Sequence, residues 1–254
     1  MQANRPRTID LNADLGEGVG DDAVLMTLVT SANIACGGHA GGGAMLRAAL
    51  MLARDHRVAA GAHPGYADRA NFGRLVVPMT EAALAALVTG QVETACLMAA
   101  EVGHHISYVK PHGALYNLAA TDAGVSGVIC DAVRAVDPAL ALLCLSGSVT
   151  ARLARARGVP VVAEIFADRA YRPDGTLLPR GQPGAVIDAP DQVVARVLDM
   201  LRTGAVKAVD GTALPLAMDS LCLHGDTPGA VALARALRAA ILAEGITIAP
   251  FAPR

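Results

Sequence analysis

Tyr108-Val109-Lys110-Pro111-His112-Gly113-Ala114-Leu115-Tyr116-Asn117 changes character within three residues. The apolar run Ile106 to Val109 is long enough for a buried strand. Pro111 biases Lys110 toward an extended backbone, and Gly113 lets the chain turn tightly. Lys110 and His112 are thereby expected at the carboxyl end of a strand. Lys110 and Lys207 are the only lysines among 21 basic residues, so a lysine beside a histidine here points to chemistry.

The same grammar recurs in both directions. Thr8 to Leu11 reads as a strand followed by Asn12, Asp14 and Glu17. Asn33 to Cys36 leads into Gly37-Gly38-His39-Ala40-Gly41, and Val58 to Ala62 leads into His63-Pro64-Gly65-Tyr66. Leu140 to Leu145 ends in Ser146-Gly147-Ser148, Val161 to Phe166 carries Glu164 and leads to Asp168 and Arg169, and Ser220 to Leu223 ends in His224-Gly225-Asp226. Helices are expected over 44–54, 81–101 (capped by Thr80), 121–136, up to Arg157, 190–203 and up to Glu244. Residues 170–188, with the turn Pro173-Asp174-Gly175, read as a small hairpin excursion or lid. Ile246 to Ile248 suggests a terminal strand.

Strand, polar end and helix, seven times over, predict a parallel α/β sheet in one domain spanning 1–254. A barrel of about seven strands is favoured over an open sheet. Polar residues follow nearly every strand, and only a closed barrel brings all those ends to one mouth.

Composition narrows the function. The apolar share of 53% suffices for a core, and a net charge of −2 gives no electrostatic case for nucleic acid or an anionic membrane. Residues 23–46 lack charge but carry Asn33, His39 and five glycines, which excludes a membrane span there. Met1 to Pro6 lacks the apolar region of a secretory signal, and five cysteines without a C-x-x-C pair fit a reducing cytoplasm.

Four of the seven histidines, His39, His63, His112 and His224, follow strands beside Gly or Pro. One such histidine is as readily structural as functional; four at equivalent positions argue for a site. Asp14, Glu17, Glu164, Asp168 and Asp226 fall at the same level, although helix capping competes for Asp226. Carboxylates and histidines converging on a barrel mouth are suited to a divalent metal, though no ligand spacing here is diagnostic. Neither common phosphate-loop fingerprint occurs, nor G-x-S-x-G, nor H-E-x-x-H.

Long motifs carry a resemblance. Asp10-Leu11-Asn12-Ala13-Asp14-Leu15-Gly16-Glu17-Gly18, Ser31 to Gly37, His39-Ala40-Gly41, Gly61 to Tyr66, Phe72-Gly73-Arg74, Val109 to Asn117, Glu164 to Tyr171 and Cys222 to Asp226 resemble, in order and along nearly the whole chain, the LamB/YcsF family. Two positions depart from its pattern: Gly38 replaces a larger residue, and Gly42-Gly43 replaces Asp-Pro. The resemblance implies a (β/α) barrel akin to the carbohydrate deacetylases. It implies ATP-dependent hydrolysis of 5-oxo-L-proline to L-glutamate, together with 5-oxoprolinase subunits B and C. Among the positions it marks, Asp14, His39, His63, Lys110, His112, Asp168 and His224 stand as catalytic candidates by their place after the strands. Asn12, Glu17, Glu164, Arg169 and Asp226 are substrate-binding candidates, with Lys110 and Arg169 as partners for a carboxylate or phosphate. Two alternatives stay open: a metal-dependent amidase or deacetylase without ATP, and a non-catalytic binding subunit.

Overall fold

The computed structural model describes residues 8–223 and 229–252. Its elements are β1 (Thr8–Leu15), α1 (Asp22–Met26), β2 (Ser31–Ala35), α2 (Gly43–His56), β3 (Ala59–His63), α3 (Glu81–Glu101), β4 (Ile106–Val109), α4 (Gly113–Ala119), α5 (Ala123–Val136), β5 (Ala141–Leu145), α6 (Val149–Ala156), β6 (Val161–Phe166), α7 (Pro190–Thr203), β7 (Ala205–Lys207), β8 (Ala213–Pro215), β9 (Ser220–Leu223), α8 (Ala230–Ala243) and β10 (Thr247–Ile248). β1 to β6 and β9 pair in parallel in that order, and β9 returns to β1. Asp10 opposite Ser220 and Asn12 opposite Cys222 mark the closure of a seven-stranded barrel. The terminal strand is present as β10, which adds to the start of β1.

β1 shows why the sheet closes around a polar interior. Side chains alternate across a strand. Ile9, Leu11, Ala13 and Leu15 join the main apolar core. Asp10, Asn12 and Asp14 lie on the other face, in the lumen, and bond to side chains of the neighbouring strands β2 and β9. The strand therefore runs four residues beyond the expected end at Leu11, and Asn12 and Asp14 belong to it rather than to the loop that follows. A second apolar cluster, Tyr108, Leu143 and Val162, fills the other end of the barrel. There the Tyr108 ring meets Phe251 edge-on at 4.9 Å.

Between these ends runs a chain of hydrogen bonds. Asp10 accepts from Thr30 (2.6 Å), Ser31 (2.7 Å) and Ser220. Asn12 donates to Ser220 Oγ at 2.7 Å, and Asn33 donates to Asn12 Oδ1 (2.7 Å) and Asp14 Oδ1 (2.8 Å). Tyr108 OH donates to Asn33 Oδ1 at 2.8 Å. Burying these groups without partners would cost roughly 1–3 kcal/mol each, so mutual satisfaction is the condition for a polar lumen.

Outside, α3 is predominantly apolar, and over 21 residues it passes by length and composition as a membrane crosser. In this fold it packs between α2 and α5 and against β3 and β4. Thr80 caps it, as expected, by accepting from Ala83 N at 3.2 Å. The expected helix at 121–136 is preceded by an unexpected one, α4, which starts at Gly113 with φ 53°. Gly113 thus makes the expected turn and also begins a helix. α1 and the β7–β8 hairpin are likewise additions, being too short to set a period in the sequence. Residues 170–188 do form an excursion, with bridges Tyr171–Leu177 and Arg169–Val186. Gly38 fits its place closely: a Cβ there would stand 2.5 Å from Gly65 O, where Gln91 also bonds.

Candidate active site

A cavity of about 460 Å³ opens at the carboxyl ends of the strands, a size suited to a small molecule. Asp14, Glu17, His63, Lys110, His112 and Arg169 all line it. His39 stands behind His112, its ring stacked on that imidazole at 3.5 Å between centroids. Glu164 and Asn12 lie deeper in the lumen and reach the cavity through Lys110. Asp168 is buried but does not line the cavity, because the chain leaves β6 at Phe166, two residues earlier. His224 and Asp226 lie outside the described residues.

The backbone fixes the histidines. His63 Nδ1 donates to the Lys110 carbonyl at 2.7 Å, and His112 Nε2 donates to the Phe72 carbonyl at 2.9 Å. A carbonyl only accepts, so each bond assigns the ring proton. His63 Nε2 and His112 Nδ1 then present lone pairs to each other at 2.9 Å. Glu17 Oε1 lies 2.9 Å from His39 Nε2, 3.4 Å from His112 Nδ1 and 4.0 Å from His63 Nε2. Facing lone pairs beside a carboxylate need a cation between them, either a shared proton or a metal ion.

The donor set fits a metal. One ligand atom from each of Glu17, His39, His63 and His112 falls within 4.8 Å of the others, and all four residues are buried. Hydrogen bonds from the far ring nitrogens to carbonyl oxygens are the usual outer support of metal-binding histidines. Burial, aided by neighbouring imidazoles, pushes the pKa of His39 strongly down and that of His112 down to about 3. Both rings are therefore neutral at physiological pH, as ligation requires. Nitrogen plus carboxylate donors suit zinc and similar divalent ions.

Asp14 and Lys110 form the second half of the site. Lys110 Nζ lies 2.8 Å from Glu164 Oε1 and 3.1 Å from Asp14 Oδ1, and it also donates to Asn12 Oδ1 and Cys222 Sγ at 3.2 Å. Burial alone would lower the lysine pKa, but Asp14, Cys222 and Glu164 raise it well above the ordinary value. Burial would likewise raise Asp14, yet His63 and Lys110 hold its carboxyl well below the usual range. Asp14 Oδ2 sits 3.4 Å from His63 Nε2. The result is an ionised carboxylate between an ammonium and an imidazole, next to the cluster of Glu17, His39, His63 and His112. Such a constellation can hold a water and accept its proton. Tyr116 locks the arrangement by donating to Glu164 Oε2 at 2.6 Å. Tyr116 and Cys222 both stand within the family-like motifs, but nothing in the sequence pairs them with Glu164 and Lys110. The Arg169 guanidinium turns to the Leu178 and Ala185 carbonyls, at 2.6 and 3.3 Å.

Comparison with known proteins places this geometry in a lineage. The chain is 47% identical over 242 residues to a protein from Neisseria meningitidis named as the A subunit of 5-oxoprolinase, covering 95% of this chain and 99% of that one. It is 49% identical over 249 residues to a protein of the same name from Streptomyces avermitilis, covering 96% and 100%. A crystal structure of a lactam utilization protein from Thermus thermophilus superposes with a TM-score of 0.90 at 39% identity, covering 96% of this chain and 100% of that one. A family 4 carbohydrate esterase from Streptomyces lividans shares the fold alone, with a TM-score of 0.51 at 10% identity, covering 99% and 95%. A sequence model of the LamB/YcsF family matches residues 9–254, and with this barrel and these relatives the chain belongs to that family.

Proposed function

We propose that this chain hydrolyses the lactam bond of 5-oxo-L-proline to give L-glutamate, as one component of an ATP-dependent 5-oxoprolinase working with subunits B and C. The observation that carries the reading is the ionised Asp14 beside His63 at the mouth of a barrel whose near full-length relatives bear the oxoprolinase name. A five-membered lactam is a stabilised amide. Its opening needs an electrophilic carbonyl carbon, an activated water and a proton for the departing nitrogen. Phosphoryl transfer from ATP to the amide oxygen meets the first need.

The chain's own residues meet the others. Asp14 accepts a proton from the attacking water, with Lys110 and Asn33 fixing its Oδ1 so that Oδ2 faces the cavity. The water oxygen becomes part of the new carboxyl group as the C–N bond breaks, its protons pass by way of Asp14 to the departing nitrogen, and the resulting acyl phosphate gives up inorganic phosphate to a second water. His112 and His63 are held in single tautomers by Phe72 and Lys110, so their lone pairs keep one direction throughout. Glu17, His39, His63 and His112 would hold a divalent ion, which when bound supplies Lewis acidity toward a carbonyl or water.

The test is glutamate release from 5-oxo-L-proline, with and without ATP, by the chain alone and with subunits B and C. Turnover requiring both additions, and lost in Asp14→Asn, is expected. ATP-independent hydrolysis of amides by the isolated chain would replace this reading with that of a metal-dependent amidase.

A further inference from the structure

The two cations first suited to an anionic substrate have other partners. Lys110 is saturated by Asp14, Glu164 and Asn12, and Arg169 is turned onto backbone carbonyls. Yet the outer cavity is strongly basic: Arg74, Arg169, Arg172 and Arg180 line it, and among the described residues the only acids in its wall are the deep pair Asp14 and Glu17. Among the described residues, no carboxylate forms an ion pair with Arg172 or Arg180. Asp174 is close enough to feel the charge of Arg172, but it turns its carboxylate onto Thr176 N and Oγ1, at 2.9 and 2.6 Å.

Both arginines sit on the 170–188 excursion, and their positions are braced. Arg172 N donates to Thr176 O at 2.8 Å across the hairpin. Arg169 grips the Leu178 carbonyl, two residues before Arg180, while Leu178 N bonds to Ala170 O. Like charges gathered on a braced rim, with no acid beside them among the described residues of the wall, favour an anion between them.

We propose that Arg172 and Arg180 form a clamp for the carboxylate of the substrate, in the cavity that Asp14 and His63 also line, so that the site selects small cyclic molecules bearing one carboxylate. The assignment rests on the oxoprolinase reading for the identity of the ring, but the clamp itself is tested without turnover. Planar guanidinium groups engage a carboxylate in paired, charge-assisted hydrogen bonds. Their position on the excursion separates recognition of the carboxylate from the chemistry on the strands.

Calorimetric titration of the full chain uses three probes: 5-oxo-L-proline, cyclopentanecarboxylate and the neutral lactam 2-pyrrolidinone. Wild type is expected to bind both carboxylates, and to bind them more weakly as salt is raised. Arg172→Ala and Arg180→Ala should each weaken both carboxylates about tenfold, and together about a hundredfold, without weakening 2-pyrrolidinone. Arg180→Lys should restore part of the loss, and unchanged melting temperatures should show that the variants fold. Carboxylate binding that survives in the double variant, parallel weakening of 2-pyrrolidinone, or no carboxylate binding by wild type would each overturn the clamp. Clamp-dependent binding of cyclopentanecarboxylate with no glutamate formed from 5-oxo-L-proline by the complete assembly would retain the clamp and refute the oxoprolinase reading.

Discussion

The main-chain carbonyl of Lys110 receives Nδ1–H of His63 at 2.7 Å, so a single residue at the end of β4 governs both halves of the site. Its carbonyl orients an imidazole of the metal-suited cluster. Its ammonium, 96 positions from Asp14 in sequence, neutralises that carboxylate and Glu164.

Lys110→Met should therefore damage the fold as well as the chemistry. Removing one member of a buried charge group costs about 3–5 kcal/mol, because its partners stay buried and unpaired. For a chain of this size that lowers the melting temperature by roughly 6–20 °C. Adding Glu164→Gln should recover part of the loss. A single variant melting with the wild type would show that the ammonium contributes nothing to stability.

Metal content gives a second expectation. Elemental analysis of protein purified without chelator should find about one zinc-class ion per chain. His63→Ala and His112→Ala should lose it, and Glu17→Gln should weaken it. Full metal retention in all three would move the ion elsewhere or remove it from the account.

How much of this is legible in the sequence depends on the residue. The histidines are, because a His beside Gly or Pro after an apolar run is a local signal. Asp14 and Asn12 stand out too, but in the wrong place: their alternation with Leu11, Ala13 and Leu15 marks them as luminal strand residues, not loop residues. Asp168 has the right parity and is still misplaced, since parity lapses once the chain leaves its strand. Arg172 and Arg180 have no local mark at all. Their significance depends on which acids share their wall, which is a property of the closed barrel and not of any segment.

Asp10 predicts a pH dependence. Burial pushes its pKa up from 3.8 to about 6, against the opposing bonds from Ser220, Thr30 and Ser31. Between those values the folded state holds the proton more tightly than the unfolded one. Its contribution is most favourable below the lower value and declines as pH rises to about 6. In denaturant titrations at several pH values, the stability of wild type minus that of Asp10→Asn should fall across this window by up to about 3 kcal/mol. A flat difference would show that Asp10 titrates alike in both states.

Gly61 predicts a packing defect. A Cβ there would collide with the Tyr108 ring, whose hydroxyl bonds to Asn33. Gly61→Ala should cost about 1–3 kcal/mol, and Tyr108→Leu in the same chain should relieve it. A neutral Gly61→Ala would mean that the ring swings aside without losing its bond.

The polar lumen has a thermal consequence. Exposing apolar surface raises heat capacity, whereas exposing polar surface lowers it. When this barrel opens, Asp10, Asn12, Ser31, Asn33, Lys110, Glu164 and Ser220, all nearly inaccessible in the folded chain, become hydrated together. Their hydration offsets part of the heat-capacity increment that the apolar shell generates. The stability curve of this protein is correspondingly broad, losing less on cooling than that of a barrel of equal length filled with valine and leucine.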